Sequence, residues 1–584
     1  MASHAHLHKR DFAADTRLLR TSLIAIAIGG CGTLAAFVLL NLIRLFTNLF
    51  FYQSFSFATR SPAAHHLGAW VILLPVLGGL IVGLIARFGS EKIRGHGIPE
   101  AIEAILFGKS KMSAKVAVLK PLSSGIVIGS GGPFGAEGPI IMTGGAIGSL
   151  IAQLFHLTAA ERKTLLVAGA TAGMTAVFGT PVAAVLLAIE LLLFELRPRS
   201  LLPVIVACAV AGFTRPLLLE AGPLFPLQTP EIGIAALFSC AIAGILGGAL
   251  SAFMSTALYW VEDMFGKLPV HWMWWPALGG IVVGIGGYFE PRALGVGYDV
   301  IGDLLNNHLA LQIALSLLLV KAVIWVIALG SGTSGGVLAP LLIIGAGLGT
   351  VLAPWLPGGD AHLWPLVCMA AVLAGVLGAP LTAAVFAFGL THDVNALLPL
   401  LLTTGVAYGF TVLTMRRSIM TEKISRRGLH IYREYGVDPL ERQHVEEVMT
   451  HAVEAIPANL SIAAVLERYF GAQQVHRCYP VVDAEQRLLG MVDRSSFGPL
   501  TDGANPLTTL FSHHQDQGAG LVALPSETCR LAAARMATHH LERLPVVSDL
   551  HTLRLIGIVS RSDLIKPSRL FFDEEQKRER LLNA

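Results

Sequence analysis

Residues 322–359 contain no Asp, Glu, Lys or Arg, and neither do residues 21–43, 67–86 or 232–261. A bilayer core about 30 Å thick is crossed by a helix of roughly 20 apolar residues, so each run is long enough to span one. Charged residues make up 14% of the chain, against about 25% in a typical soluble domain. That leaves too little charge to coat a soluble protein. The expected fold class is an all-α polytopic membrane protein, with a smaller α/β unit at the C-terminus where the composition turns ordinary.

Basic residues cluster at the ends of the apolar region. Lys9, Arg10, Arg17 and Arg20 precede the first run, "ARFGSEKIRG" (86–95) follows the second, and "MRRSIMTEKISRRG" (415–428) follows the last. The positive-inside rule places these in the cytoplasm, and both termini with them. No cleavable signal peptide is evident, because the polar start leads into a run long enough to span. His4, His6 and His8 read as a solvated tail, with metal binding as the alternative. A net charge of +3 gives no reason to expect a nucleic-acid partner. The six cysteines form no CxxC pair, so buried thiols are expected in preference to disulfides or zinc.

The expected organisation is a tail (1–20), a membrane region (21–430), a linker (431–443), two small α/β units (444–505 and 506–570) and a tail (571–584). The membrane region divides into halves at about 21–220 and 230–430. "GSGGPFGAEGP" (129–139) aligns with "GSGTSGGVLAP" (330–340), and "FGTPVAAVLLAIE" from Phe178 aligns with "LGAPLTAAVFAFG" from Leu377. The order is kept and the offset is nearly constant. In transporters such halves often have inverted topology and share a site at their interface. The C-terminal region repeats as well, "YPVVDAEQRLLGMVDRSSF" (479–497) against "LPVVSDLHTLRLIGIVSRSDL" (544–564).

The Gly and Pro content breaks many apolar segments, and broken helices survive at membrane depth only where protein or a cavity satisfies the freed backbone. Three breaks have one form. "GHGIP" (95–99), "GAEGP" (135–139) and "GVLAP" (336–340) are Gly-rich turns entering helices with Pro in the first turn. Each exposes backbone N–H groups at a helix N-terminus, where anions bind. Three such ends at one point would hold a dehydrated anion without Lys or Arg, weakly enough to release it. Glu137 stands in one of them, and Leu338 stands at the matching place in its twin. A carboxylate there can occupy the seat of a permeant anion and give it up on taking a proton. The alternative is a water-facing helix cap.

These ordered motifs resemble the CLC family of chloride channels and chloride/proton exchangers, and the C-terminal repeat resembles the paired CBS domains many of its members carry. The resemblance covers essentially the whole membrane region. It implies a homodimer with one pore per subunit in a membrane, here expected to be a bacterial inner membrane. It makes Glu137 the gating glutamate, with backbone groups of Ala136, Glu137, Val337 and Leu338 around the anion and His96, Gly97, Ile98 and Met420 on its inner side. Several positions depart from the family pattern. His96 stands where a Ser is usual, Leu338 where a Phe is usual, and Met420 where a pore-facing Tyr is usual. The two hydroxyls that hold the central anion are thereby lost. His96 can donate from its ring or merely line the inner mouth. The proton-transfer glutamate of exchangers is Leu191 here. Glu190 matches the neighbouring acid, and Glu195 is expected to pair with Arg197 or Arg199. Leu cannot relay a proton, which favours passive conduction over exchange.

No cofactor is required by this reading. CBS pairs often bind adenine nucleotides through an Asp three residues after a Ser or Thr. Ser560 and Asp563 keep that pattern, while the first unit has Ser496 in place of the Asp. The expected partners are chloride or another small anion, membrane lipid and, under the exchanger reading, protons. Two other classes are weighed against transport. A nucleotide sensor with a membrane anchor needs no broken helices, and an intramembrane enzyme needs a catalytic constellation that the sequence does not display.

Overall fold

The computed structural model describes residues 16–429, 431, 438–471, 474, 476–497, 506–510 and 521–566. The histidines of the N-terminal tail, residues 432–437 of the linker and residues 571–584 lie outside these. The chain divides into two compact units, one spanning 14–435 and the other containing 436–584.

Sixteen helices of the first unit form two series that match element by element. The first series is α1 (Arg17–Tyr52), α2 (Leu73–Phe88), α3 (Ile98–Leu106), α4 (Ala114–Gly129), α5 (Glu137–Gln153), α6 (Ala159–Phe178), α7 (Pro181–Leu187) and α8 (Pro198–Leu218). The second is α9 (Ala236–Gly266), α10 (Trp275–Phe289), α11 (Tyr298–Leu305), α12 (Leu311–Gly330), α13 (Leu338–Leu352), α14 (Leu363–Leu377), α15 (Pro380–Thr391) and α16 (Leu397–Thr414). A last short helix, α17 (Ile419–Arg426), has no counterpart. Arg17 and Arg20 belong to the first turns of α1, so the helix begins slightly before the apolar run. Seven helical segments among the described residues are long and apolar enough to cross a membrane. Most of the others are shorter, as the Gly and Pro content predicts, while α6 has 20 residues but opens on the charged stretch Glu161-Arg162-Lys163.

The run 322–359 illustrates the difference between hydropathy and fold. It is long enough for one uninterrupted span, yet it holds the end of α12, a break at residues 331–337 and then α13. Ser331, Gly332 and Thr333 leave the helix there, with Gly332 at φ +77°, a conformation that glycine adopts without a steric penalty.

The series pack against each other through small residues. A Cβ on Gly79 of α2 would lie 2.4 Å from the Pro276 carbonyl, and one on Gly280 of α10 would lie 2.5 Å from the Pro75 carbonyl. Glycine on both sides lets the two backbones approach, which is how helices associate where lipid supplies no hydrophobic drive. The helices α5, α6, α13 and α14 are almost wholly buried and form the centre of one large apolar core.

The second unit contains two repeats. Strands β1 (Ile456–Pro457), β2 (Cys478–Val482) and β3 (Leu488–Asp493) form a sheet with β1 parallel and β3 antiparallel to β2. Strands β4 (Arg543–Val547) and β5 (Leu555–Ser560) form an antiparallel pair. Helices Ile462–Tyr469 and Cys529–Thr538 precede the respective hairpins. The hairpins meet where the Leu488 N–H donates to the Leu553 carbonyl and the Leu555 N–H to that of Gln486.

Candidate functional site

Three loops that are far apart in sequence meet at the N-termini of α3, α5 and α13. The Gly95 N–H donates to the Thr333 carbonyl at 2.9 Å, and Gly135 and Gly336 exchange N–H to carbonyl bonds at 3.3 and 3.0 Å. The meeting is close. A Cβ on Gly138 would fall 1.7 Å from the His96 carbonyl, and one on Gly97 would fall 2.7 Å from the Gly138 carbonyl. The N-caps are Gly97, Ala136 and Val337. The first-turn N–H groups of these helices have no intrahelical acceptor, and helix dipoles add positive potential at the same ends.

Glu137 is the first residue of α5 and is fully buried. Its Oε1 accepts the Ala339 N–H of α13 at 2.9 Å. Its Oε2 has no hydrogen-bond partner among the described residues. The carboxylate is therefore seated on the N-terminus of the twin helix, a kind of site that also binds anions. It does not face water as an ordinary cap would.

Of the residues expected at the site, Gly97, Ile98, Ala136, Glu137, Val337 and Leu338 lie at these three helix starts and are buried. His96 is 3% exposed, and neither of its ring nitrogens has a partner among the described residues. Met420 is buried on α17, which packs on α3. Lys423 of α17 bonds to Glu100 of α3 at 2.6 Å, and Glu100 also accepts the Gly97 N–H at 3.0 Å, which braces the inner loop.

Leu191 is buried in a π-helical turn, Ala188–Leu193, that extends α7. Its neighbour Glu190 accepts the Thr382 N–H at 2.8 Å and the Thr382 hydroxyl at 2.6 Å. The Leu381 N–H adds a bond of 3.3 Å, so Glu190 caps α15. Glu195 lies 3.8 Å from both Arg197 and Lys163 and accepts the Ser200 hydroxyl at 2.6 Å. Of the two expected partners, Arg197 and Arg199, the pair is with Arg197, and Lys163 is an addition.

Sequence reasoning missed three participants. Ala339 supplies the N–H that holds Glu137. Its signal was its place in the first turn of α13, beside the expected Leu338. Lys120 and Lys321 are the others, and they brace loops of the membrane unit. Both are fully buried. Lys120 donates to the carbonyls of Ile93 and Gly95 at 2.8 Å, and Lys321 donates to those of Ala293 and Gly295 at 2.9 Å. Each ammonium ties down the loop ahead of a short helix, α3 or α11. Lys321 is also within electrostatic reach of Glu137. Their equal spacing from the aligned motifs was the readable signal, since each precedes its Gly-Ser-Gly by nine residues.

In the second unit, Ser560 and Asp563 are already bonded to each other. The Ser560 hydroxyl and N–H donate to the Asp563 carboxylate at 2.6 and 2.9 Å. Burial opposes the charge on Asp563, but the Lys566 ammonium and Ser560 donors outweigh it and hold the carboxyl below its usual range. The first repeat makes the same turn with the roles exchanged. Ser496 donates its hydroxyl and N–H to Asp493 at 2.8 and 2.9 Å.

A family model described as "Voltage gated chloride channel" matches residues 77–412, and one described as "CBS domain" matches 445–497 and 521–568. The relatives include the voltage-gated ClC-type chloride channel ClcB of Escherichia coli O81 (strain ED1a). It is 31% identical over 357 residues, which cover 59% of this chain and 85% of that protein. The ClcB of Shigella flexneri matches to the same extent. Among solved structures, a slow cyanobacterial Cl-/H+ antiporter superposes with a TM-score of 0.63 at 22% identity, covering 71% of this chain and 99% of that one. A eukaryotic CLC transporter gives 0.59 at 20% identity, covering 94% and 98%. A CLC-type fluoride/proton antiporter gives 0.58 at 21%, covering 68% and 97%.

Proposed function

The chain belongs to the CLC family of voltage-gated chloride channels and is a multi-pass anion-transport protein with a CBS pair, and from that premise we propose that Glu137 gates a chloride-conducting pathway at the junction of α3, α5 and α13. One observation carries the reading. A fully buried carboxylate occupies the N-terminus of α13 with one oxygen bonded to Ala339 and the other unpartnered. An anion arriving at the same N–H groups competes with it. Protonation removes its claim on them. Backbone donors and helix ends bind without a full opposing charge, so the ion can leave.

Conduction is passive in this reading. Leu191 carries no proton, and the acid beside it, Glu190, is held by three donors on α15. Flux of chloride from liposomes tests the gate. Glu137→Gln is expected to raise flux and to flatten its rise at acid pH, because the side chain no longer changes charge. A variant whose pH profile matches that of the native protein removes Glu137 as the gate.

Chloride/proton exchange is the second reading, favoured by the name of one solved relative, a Cl-/H+ antiporter, and by that of a fluoride/proton antiporter for proton coupling. A chloride gradient that drives protons uphill into liposomes decides for exchange and against passive conduction. Reversal potentials with chloride, nitrate and fluoride rank the anions. The reading also includes a homodimer in a bacterial inner membrane with both termini cytoplasmic. The reading also allows an adenine nucleotide at Ser560 and Asp563, and titrating flux with ATP, ADP and AMP separates a regulatory CBS pair from a structural one.

A further inference from the structure

The site has a second unpartnered oxygen near Glu137. Tyr298 is the first residue of α11 and stands at the repeat position that Ile98 holds on α3. Its ring lies edge-on to Phe178, with centroids 6.3 Å apart, and at the same distance from Phe225. That packing fixes the ring. Its hydroxyl is buried and has no hydrogen-bond partner among the described residues. A buried tyrosine hydroxyl normally finds one, and leaving it without a partner is unfavourable. The phenol is within electrostatic reach of Glu137, whose Oε2 is likewise unpartnered.

Tyr298 also lines a cavity of about 610 Å³ between the end of α1 and the start of α11. Arg44, Arg60 and Arg215 line the same cavity, with the carboxylates Glu220 and Asp299. Arg215 is engaged with the carbonyls of Ala176 and Gly222 at 3.1 and 3.2 Å. The cavity thus carries more basic than acidic side chains, and Tyr298 lines it.

We propose that the Tyr298 hydroxyl is the second seat of the Glu137 carboxylate: when the carboxylate leaves the Ala339 N–H, it accepts a hydrogen bond from Tyr298 and opens the pathway toward the Arg44–Arg60 cavity. The inference rests on Glu137 being the gate. No proton is transferred, because one hydrogen-bond donor replaces another. Tyr298 is a positioning residue in this scheme. The charged groups around the exchange are Lys321 from α12, Asp299 from α11, Arg215 and Glu220 at the end of α8, and Arg44 and Arg60 at the end of α1. With the inner hydroxyls replaced by His96 and Met420, Tyr298 supplies a hydroxyl from the opposite half.

The test is chloride efflux from liposomes containing the full chain, with pH varied, for the native protein, Glu137→Gln, Tyr298→Phe and the double variant. Tyr298→Phe keeps the ring and its packing, so folding is preserved. Its expected effect is about a tenfold loss of flux at neutral pH, in line with a hydrogen bond to a charged group. The profile should also move to lower pH, since an outward carboxylate without its donor has to be protonated to leave. Both effects should vanish in the Glu137→Gln background. An unchanged profile, or an equal loss of flux in both backgrounds, overturns the proposal. The gate itself is read from Glu137→Gln alone. If that variant keeps the native pH profile, the gate and the Tyr298 seat fall together. If it flattens while Tyr298→Phe is silent, only the Tyr298 seat falls.

Discussion

The two halves of the membrane unit share a frame and differ in their acids. Each has a buried lysine clamping two carbonyls ahead of a short helix, Lys120 before α3 and Lys321 before α11. Each has a Gly-Ser-Gly turn leading to a buried helix, α5 or α13. Only the first half carries Glu137 and Glu190. Their counterparts in the aligned motifs are Leu338 and Gly389. Both acids reach across and accept from the N-terminus of a helix of the second half, Glu137 from α13 and Glu190 from α15. What separates them is the number of donors. Glu190 takes three from Leu381 and Thr382, while Glu137 has an oxygen unpartnered. The same chemistry, an acid on a helix N-terminus, makes a fixed brace in one place and, in the proposed gate, a displaceable stand-in for an anion in the other.

The comparison can be broken most severely at the helix starts. Gly138 and Ala339 are counterparts, but Gly138 abuts the His96 carbonyl and Ala339 has room for its methyl. Gly138→Ala is expected to cost upwards of ~3 kcal/mol, as overpacking against backbone does. Ala339→Gly should cost about 1 kcal/mol or less. Thermal unfolding of the detergent-purified protein measures both, and equal effects would mean the loops do not meet as described.

The lysines sharpen the comparison next. Lys120→Met and Lys321→Met each leave two buried carbonyls without a donor, at about 1–3 kcal/mol for each carbonyl. Their stability losses should be similar. Only Lys321 faces Glu137, so only Lys321→Met should move the pH profile of flux. The expected direction is toward higher pH, because Glu137 takes up a proton more readily once a neighbouring positive charge is gone. A shift of equal size in Lys120→Met would show that the effect is general and not local to Glu137.

The smallest effect is expected at the brace. Glu190→Gln keeps the shape and weakens charge-assisted bonds to α15, at about 1–2 kcal/mol. Its flux should follow the native pH profile. A flattened profile would make Glu190 part of the proton route and would undo the contrast with Glu137.

Much of this was legible before any coordinates. Charge-free runs set the membrane class, and two aligned motifs at nearly one offset set the repeat, which the structure extends to eight helices in each half. The Gly-Pro turns marked three helix starts, and a lone acid in one of them marked Glu137. The CBS repeat was legible from paired strand patterns. Its exchanged roles at Asp493–Ser496 and Ser560–Asp563 were not, because a residue-by-residue comparison registers a lost Asp where the turn has moved it three places.

The sequence by itself determined the environment and the ingredients: a bilayer, because too little charge remains for water, and helix starts with free N–H groups, because Gly and Pro leave no other way into those helices. Only the tertiary structure decided which free N–H meets which acid. Ala339 and Glu137 are 202 residues apart, as the hydrogen bond between them records, and nothing local in either segment encodes their distance. The contact exists because the Lys120 clamp and close glycine contacts bring three loops together. That packing also leaves Glu137 with an oxygen unpartnered and surrounds Glu190 with donors.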